Sequence, residues 1–139
     1  MSNTELAAVK PRSLAKGLMA GLVAGLAGTV AMALAERLLP ARASAKSESR
    51  PEVSNKIRWG FGATAGAAYG AVAEFYPAAT AKAGVSFGMT LGALSEEGVI
   101  PALGLLVRPA APGSASEITA HVVYGVTTEM VRGFVRKRL

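Results

Sequence analysis

The run from Gly17 to Ala35 has no charged residue and carries glycine at positions 17, 21 and 25, with Gly28 close behind. Residues four apart share one face of a helix, so these glycines form a smooth row that lets another backbone approach closely. The row recurs. Gly62, Gly66 and Gly70 mark a second apolar block, and Gly84, Gly88 and Gly92 mark a third. The predicted fold class is therefore all-α: a polytopic membrane protein of about four Gly-rich transmembrane helices, one bundle over residues 17–135.

The apolar content falls in four blocks, 17–39, 59–76, 83–107 and 116–135. Each is near the roughly 17 to 25 residues that cross a bilayer core. Hydrophobic residues make up 51% of the chain but aromatics only 6%, so the large rings that fill a soluble core are scarce. The soluble alternative is an Ala/Gly-rich helical protein that binds nucleic acid through basic tails. Against it, Trp59, Phe61, Tyr69 and Tyr124 lie inside apolar blocks, so no stacking platform is interleaved with charge. No nucleic acid is expected. The net charge of +6 is instead assigned to an anionic membrane surface, with the lipid bilayer as partner. With no cysteine, disulfide and thiolate chemistry are excluded.

Residues 1–16 form a polar tail ending in Lys10, Arg12 and Lys16, and residues 136–139 a basic C-terminal tail. A signal peptide has the same outline as the N-terminal stretch, and Ala31-Met32-Ala33 resembles a cleavage site. The apolar run exceeds the roughly 7 to 15 residues of a signal core, so an uncleaved first span is expected. Residues 40–58 read as a polar surface loop, followed by Trp59 as an interfacial aromatic. Pro77 to Lys82 reads as a short turn between antiparallel neighbours, and Ser114 with Glu117 as a capping box opening the last helix. The third block is ambiguous. Glu96 and Glu97 lie near its centre and Pro101 frees the Glu97 carbonyl, which predicts a kink or break; alternatively the span ends near Leu94 and residues 98–107 re-enter or lie at the interface.

The two halves repeat. Gly17, Gly21, Gly25, then Glu36 and Pro40, then Tyr69-Gly-Ala-Val-Ala-Glu74 are matched in order by Gly84, Gly88, Gly92, then Glu97 and Pro101, then Tyr124-Gly-Val-Thr-Thr-Glu129. The pattern predicts two copies of a two-helix unit related by a pseudo-two-fold axis along the membrane normal. His121 falls opposite Gly66 in this alignment and belongs to the second copy alone. Lys and Arg divide almost evenly between the two ends of the spans, slightly favouring cytoplasmic termini.

Glu117, His121, Gly125, Glu129 and Gly133 recur every fourth residue and form one stripe on the last helix. An ionisable side chain inside a bilayer is costly, so each is a candidate site by default. The candidate intramembrane polar cluster is His121, Glu129, Glu74, Glu96, Glu97 and Glu117. Glu74 and Glu129 lie near span ends and Arg132, where a structural ion pair is an equal reading. His121 reads either as a histidine hydrogen-bonded to a facing helix or as a protonatable switch, since imidazole titrates near neutral pH. Glu117 and His121 have i, i+4 geometry but are too few for a metal site. No nucleophile elbow, phosphate loop or metal-hydrolase motif is present, so neither an enzyme nor a cofactor is expected.

Tyr69 to Pro77, the Gly-rich span through Leu94, and Ser116-Glu117-Ile118 with His121-Val122, Glu129 and Arg132 are similar to the YagU-like family of small bacterial inner-membrane proteins. The resemblance covers roughly residues 59–139. It implies a multi-pass inner-membrane protein with a cytoplasmic C-terminus and, by association, a part in survival under acid stress; the shorter, cysteine-free first loop departs from the family. The leading functional expectation is a non-enzymatic membrane protein whose polar cluster carries or senses protons. The alternative is a structural or assembly subunit that binds a membrane protein or a second copy through its glycine faces (Gly17, Gly21, Gly25, Gly62, Gly66, Gly70, Gly84, Gly88, Gly92, Gly125). A third is an ion or small-solute channel.

Overall fold

Ser13 opens the first helix. Its extended backbone (φ −137°, ψ 113°) lets Oγ accept from the Lys16 N–H, which satisfies one of the orphan donors of a helix start. The helix ends at Leu38, where Leu39 returns to extended geometry before Pro40, since a residue preceding proline is disfavoured as helix. The computed structural model describes residues 11–39, 51–96 and 115–139, with side chains placed at 11–39, 55–94 and 118–139. It contains four α-helices, α1 (Leu14–Leu38), α2 (Pro51–Phe75), α3 (Val85–Glu96) and α4 (Ala115–Arg138), and no strand among the described residues.

Several boundaries differ from the sequence reading. Helix α2 begins at Pro51, so residues 51–58, expected in the polar loop, are helical. Proline is pre-organised for a first helical position, and the polarity of Asn55, Lys56 and Arg58 marks a solvated start of the helix rather than a coil. Between α2 and α3, Pro77–Gly84 forms a 3-10 turn that runs two residues past the expected end at Lys82. Its last three residues are left-handed: Lys82 (φ 58°), Ala83 (φ 51°) and Gly84 (φ 84°). The last helix, predicted over 116–135, spans Ala115–Arg138 and ends in Arg136, Lys137 and Arg138, cations that complement its C-terminal dipole. The expected break at Glu97 and Pro101, the cap at Ser114 and the region 97–107 lie outside the described residues.

Helix α1 is central, packing along both α2 and α4, while α3 packs on α4. The glycine rows explain these contacts. A Cβ on Gly17 would stand 2.8 Å from the Gly70 carbonyl oxygen; on Gly21, 2.9 Å from the Gly70 Cα; on Gly25, 2.9 Å from the Gly66 Cα. Helices α1 and α2 are therefore antiparallel and in backbone contact along the three glycine levels. The second hairpin repeats the scheme. A Cβ on Gly84 would run into the Gly125 carbonyl, and one on Gly88 would lie 2.9 Å from the His121 carbonyl carbon. The contacts Gly84–Gly125 and Gly88–His121 are of the same backbone-to-backbone kind as Gly17–Gly70 and Gly21–Gly66.

Where the hairpins dock, size changes. Phe87 of α3 stacks on Tyr69 of α2 with ring centroids 4.1 Å apart, and Tyr124 of α4 closes the group at 5.9 Å from Phe87. On the other side Gly28 of α1 makes room for the Tyr124 ring and Thr128, and a Cβ there would lie 2.9 Å from Tyr124 Cδ2. The described core is small: Ala20, Ala24, Ala73 and Ala120 with the two tyrosines, plus Thr29 and Thr128. The hydroxyls of Thr29 and Thr128 donate back to the Gly25 and Tyr124 carbonyls, so neither enters the core unsatisfied. Large apolar side chains instead point outward, among them Leu18, Met19, Leu22, Val23, Val30 and Leu34 of α1. Among the described residues one helix, α1, is long and apolar enough to cross a membrane. The described part of α3, rising about 18 Å at 1.5 Å per residue, is too short for that, and α2 and α4 carry charges at their ends.

Candidate functional site

The start of α1, the ends of α2 and α4 and the 3-10 turn meet at one end of the bundle, where the buried charges gather. Glu74, in the last turn of α2, is 6% exposed and receives three donors from two other elements. Arg136 of α4 grips it bidentately, its Nε donating to Oε2 at 2.8 Å, and the Ser13 N–H donates to Oε1 at 2.9 Å. One carboxylate thereby fastens the first residue before α1, the end of α2 and the end of α4. Arg136 also donates to the Pro11 carbonyl at 3.1 Å, and Arg12 to the Phe75 carbonyl at 3.4 Å.

Glu129, the repeat counterpart of Glu74, is held in a second knot. Arg132 donates to both of its oxygens at 2.7 Å, and the Tyr69 hydroxyl donates to Oε2 at 2.8 Å across to α2. The Arg132 guanidinium stands 6.0 Å from the Tyr69 ring centre, so one tyrosine serves the carboxylate with its hydroxyl and the cation with its face. Tyr124 does not mirror Tyr69: its hydroxyl donates at 2.6 Å to the Gly62 carbonyl, a neutral acceptor on α2. The ion pairs Glu74–Arg136 and Glu129–Arg132 join helix ends.

His121 sits elsewhere. It lies two turns, about 12 Å, from Glu129 along α4, 8% exposed, in a slot cut by α3. A Cβ on Gly92 would approach the imidazole Cγ to 3.2 Å, and the backbone of His121 lies against Gly88. The second hairpin thus accommodates an imidazole where the first has Gly66, because Gly92 yields the volume. The side chains of Glu96 and Glu117, and Glu97 altogether, lie outside the described residues. The structure therefore brings Glu74 and Glu129 to the same end but keeps them two turns from His121. Among the described residues no three His, Asp or Glu side chains come together to hold a metal ion.

The glycine rows offered above as docking faces for a partner are turned toward one another inside the chain. Arg136, the most connected side chain of the site, escaped the sequence reading, although Glu129, Arg132 and Arg136 share one face at helical spacing. The Tyr69 and Tyr124 hydroxyl bonds also escaped it, and no local signal points to partners some 60 residues away.

No curated protein and no solved structure gives a significant match to the chain. A family match does cover residues 46–130, from the end of the first connection through α2 and α3 to Met130 of α4. It takes in Tyr69, Glu74, His121, Tyr124 and Glu129, and leaves out α1 and the two arginines that hold the glutamates. The chain belongs to the family described as proteins of unknown function, DUF1440, the family that also includes the YagU-like proteins.

Proposed function

We propose that the chain is a non-enzymatic, multi-pass inner-membrane protein whose second hairpin carries a proton-linked group, His121, in its interior. The observation that carries the membrane part is the inverted distribution of size. Glycine, alanine and threonine are inside, while Leu, Met and Val crowd the outer surface of α1, with Met89, Leu94, Ile118, Met130 and Phe134 outward on the later helices. A protein folding in water gains by burying its largest apolar side chains; in lipid that gain vanishes, and close backbone packing through small residues takes over. In this reading α1, α2 and α4 span the bilayer. The end bearing Arg12, Lys16, Lys82, Arg132, Arg136, Lys137 and Arg138 is cytoplasmic, against Arg37, Lys56 and Arg58 at the other.

The proton-linked part rests on His121. The ordinary pKa of imidazole lies near neutrality, and this is the one histidine of the chain. Gly88 and Gly92 of α3 are packed against it. The acid-stress association of the YagU-like proteins fits a sensor or carrier of protons.

Two experiments test the reading. Because the chain has no cysteine, single cysteines at Lys137, Lys82 and Asn55 report sidedness directly. The first two should react with an impermeant thiol reagent from the cytoplasmic face and the third from the other; extraction of the protein by alkaline carbonate would refute the membrane assignment. Reconstituted in liposomes, the protein should collapse an imposed pH gradient faster than empty vesicles, and His121→Ala should remove that excess. Equal rates for the two forms would remove the proton link.

A further inference from the structure

Helix α3 is held differently from the helix it repeats. With Gly84, Gly88 and Gly92 matched to Gly17, Gly21 and Gly25, Phe87 and Leu91 fall where α1 has Ala20 and Ala24. The two alanines are completely buried and let α1 pack along both α2 and α4. The larger Phe87 and Leu91 are partly exposed, and α3 packs along α4 and the preceding turn but along neither α1 nor α2. Contact across to α2 comes from the Phe87 ring, stacked on Tyr69 at 4.1 Å. The turn that carries α3 is strained. Lys82 (φ 58°) and Ala83 (φ 51°) hold left-handed backbone, which is unfavourable for any residue with a Cβ. Residues in such conformations cluster at switch regions, and hinges form where a few residues at the end of an element absorb a change in φ and ψ. What α3 covers is His121, whose imidazole Cγ a Cβ on Gly92 would approach to 3.2 Å.

We propose that α3 is a moving element, hinged at Lys82 to Gly84 and latched by Phe87 on Tyr69, and that its swing away from α4 uncovers His121. The lever is long enough. Gly92 lies eight residues beyond Gly84, about 12 Å along the helix, so a tilt of about 20° carries it about 4 Å and clears one face of the imidazole. The backbone contact of Gly84 with Gly125 lies at the pivot and changes least in that motion. The latch consists of ring contacts, the stack on Tyr69 and the tilted approach to Tyr124 at 5.9 Å, so it releases without breaking the ion pairs Glu74–Arg136 and Glu129–Arg132. The motion gives protons access to a buried imidazole, and in that purpose it rests on the proton reading above.

The test uses the full chain reconstituted in phosphatidylcholine vesicles and two readings that involve no proton gradient. One is the rate at which diethyl pyrocarbonate modifies His121, the single histidine, followed by mass spectrometry. The other is the distance between spin labels at Leu94→Cys of α3 and Met130→Cys of α4, both exposed positions, read by electron paramagnetic resonance. A ring stack corresponds to about two- to tenfold in an equilibrium, so Phe87→Ala should raise the modification rate by that factor and enlarge a longer-distance population between the labels. Labels at Val23→Cys and Val72→Cys, exposed on α1 and α2, should keep their wild-type distance in the same variant, showing the first hairpin intact. Gly21→Ala, which loosens the first hairpin instead, should leave the His121 rate unchanged. An unchanged rate or an unchanged Leu94–Met130 distance in Phe87→Ala overturns the hinge. So does an equal rise in Gly21→Ala or a shift between Val23 and Val72, since either means general loosening. The gradient assay is separate: His121→Ala without effect there removes the proton link and leaves the moving helix standing, whereas a His121-dependent collapse with no motion of α3 does the reverse.

Discussion

Gly21 lies at the middle level of the α1–α2 contact, and replacing it with alanine is the sharpest test of the packing. The added Cβ would stand 2.9 Å from both Gly70 Cα and Gly70 N and closer still to the Gly66 carbonyl oxygen, all of them backbone atoms that no rotamer can move. Ordinary contact begins near 3.4 Å, so the helices must part by at least half an ångström at this level. A gap of that size forfeits a quarter to a half of each dispersion well along the shared face, and the flanking Gly17–Gly70 and Gly25–Gly62 levels open with it. Overpacking of this kind costs about 1–3 kcal/mol, and the upper half of that range, about 2–3 kcal/mol, is expected here because backbone faces backbone. Gly60 supplies the control. It lies on the same helix as Gly66, and a Cβ there meets nothing within 4 Å, so Gly60→Ala should stabilise by up to about 1 kcal/mol through helix propensity alone. Both are read by reversible unfolding in mixed micelles, followed by the fluorescence of Trp59, the single tryptophan. A Gly21→Ala protein within about 0.5 kcal/mol of the wild type, or no worse than Gly60→Ala, would refute the backbone-contact argument.

Other consequences can be measured in the same way. Arg136→Gln leaves Glu74 buried with one donor from Ser13, and should cost about 2–3 kcal/mol, less than a fully interior pair because the site lies at the bundle end; the Glu74→Gln/Arg136→Gln double variant should recover part of that loss. Lys82→Gly and Ala83→Gly relieve left-handed backbone and should each raise the unfolding free energy by up to about 1 kcal/mol, whereas Gly84→Ala, at φ 84° and with a Cβ 2.8 Å from Glu129 Cβ, should lower it by about 2 kcal/mol or more.

The helices and their facing rows were legible because glycine at every fourth position has few meanings in an apolar helix. The repeat pattern matches Gly17 with Gly84 and Gly70 with Gly125, and the contacts Gly17–Gly70 and Gly84–Gly125 are of the same backbone-to-backbone kind. Pairings across the hairpins were not legible. Glu74 meets Arg136 and Tyr69 meets Glu129 only because α4 docks on α1, and docking depends on volumes at Gly28, Tyr124 and Phe87 that no periodicity encodes. The start of α2 was misplaced because polar residues mark a solvated helix turn as readily as a loop. The left-handed run at Lys82 and Ala83 had no compositional signal, since neither residue favours that conformation.

The glycine pairing also implies an order of assembly. Contacts between sequence neighbours close short loops and form early, so α1 with α2, and α3 with α4, are the natural first products as the chain emerges. Among the described residues the hydrogen bonds that join the two hairpins involve α4 or Leu139 just after it, and Arg136, which ties Pro11 and Glu74 to that helix, is made after both glycine rows. A ribosome therefore delivers two preformed hairpins and then the clasp. Truncation just before Arg136 should leave both hairpins able to form and the union between them loose.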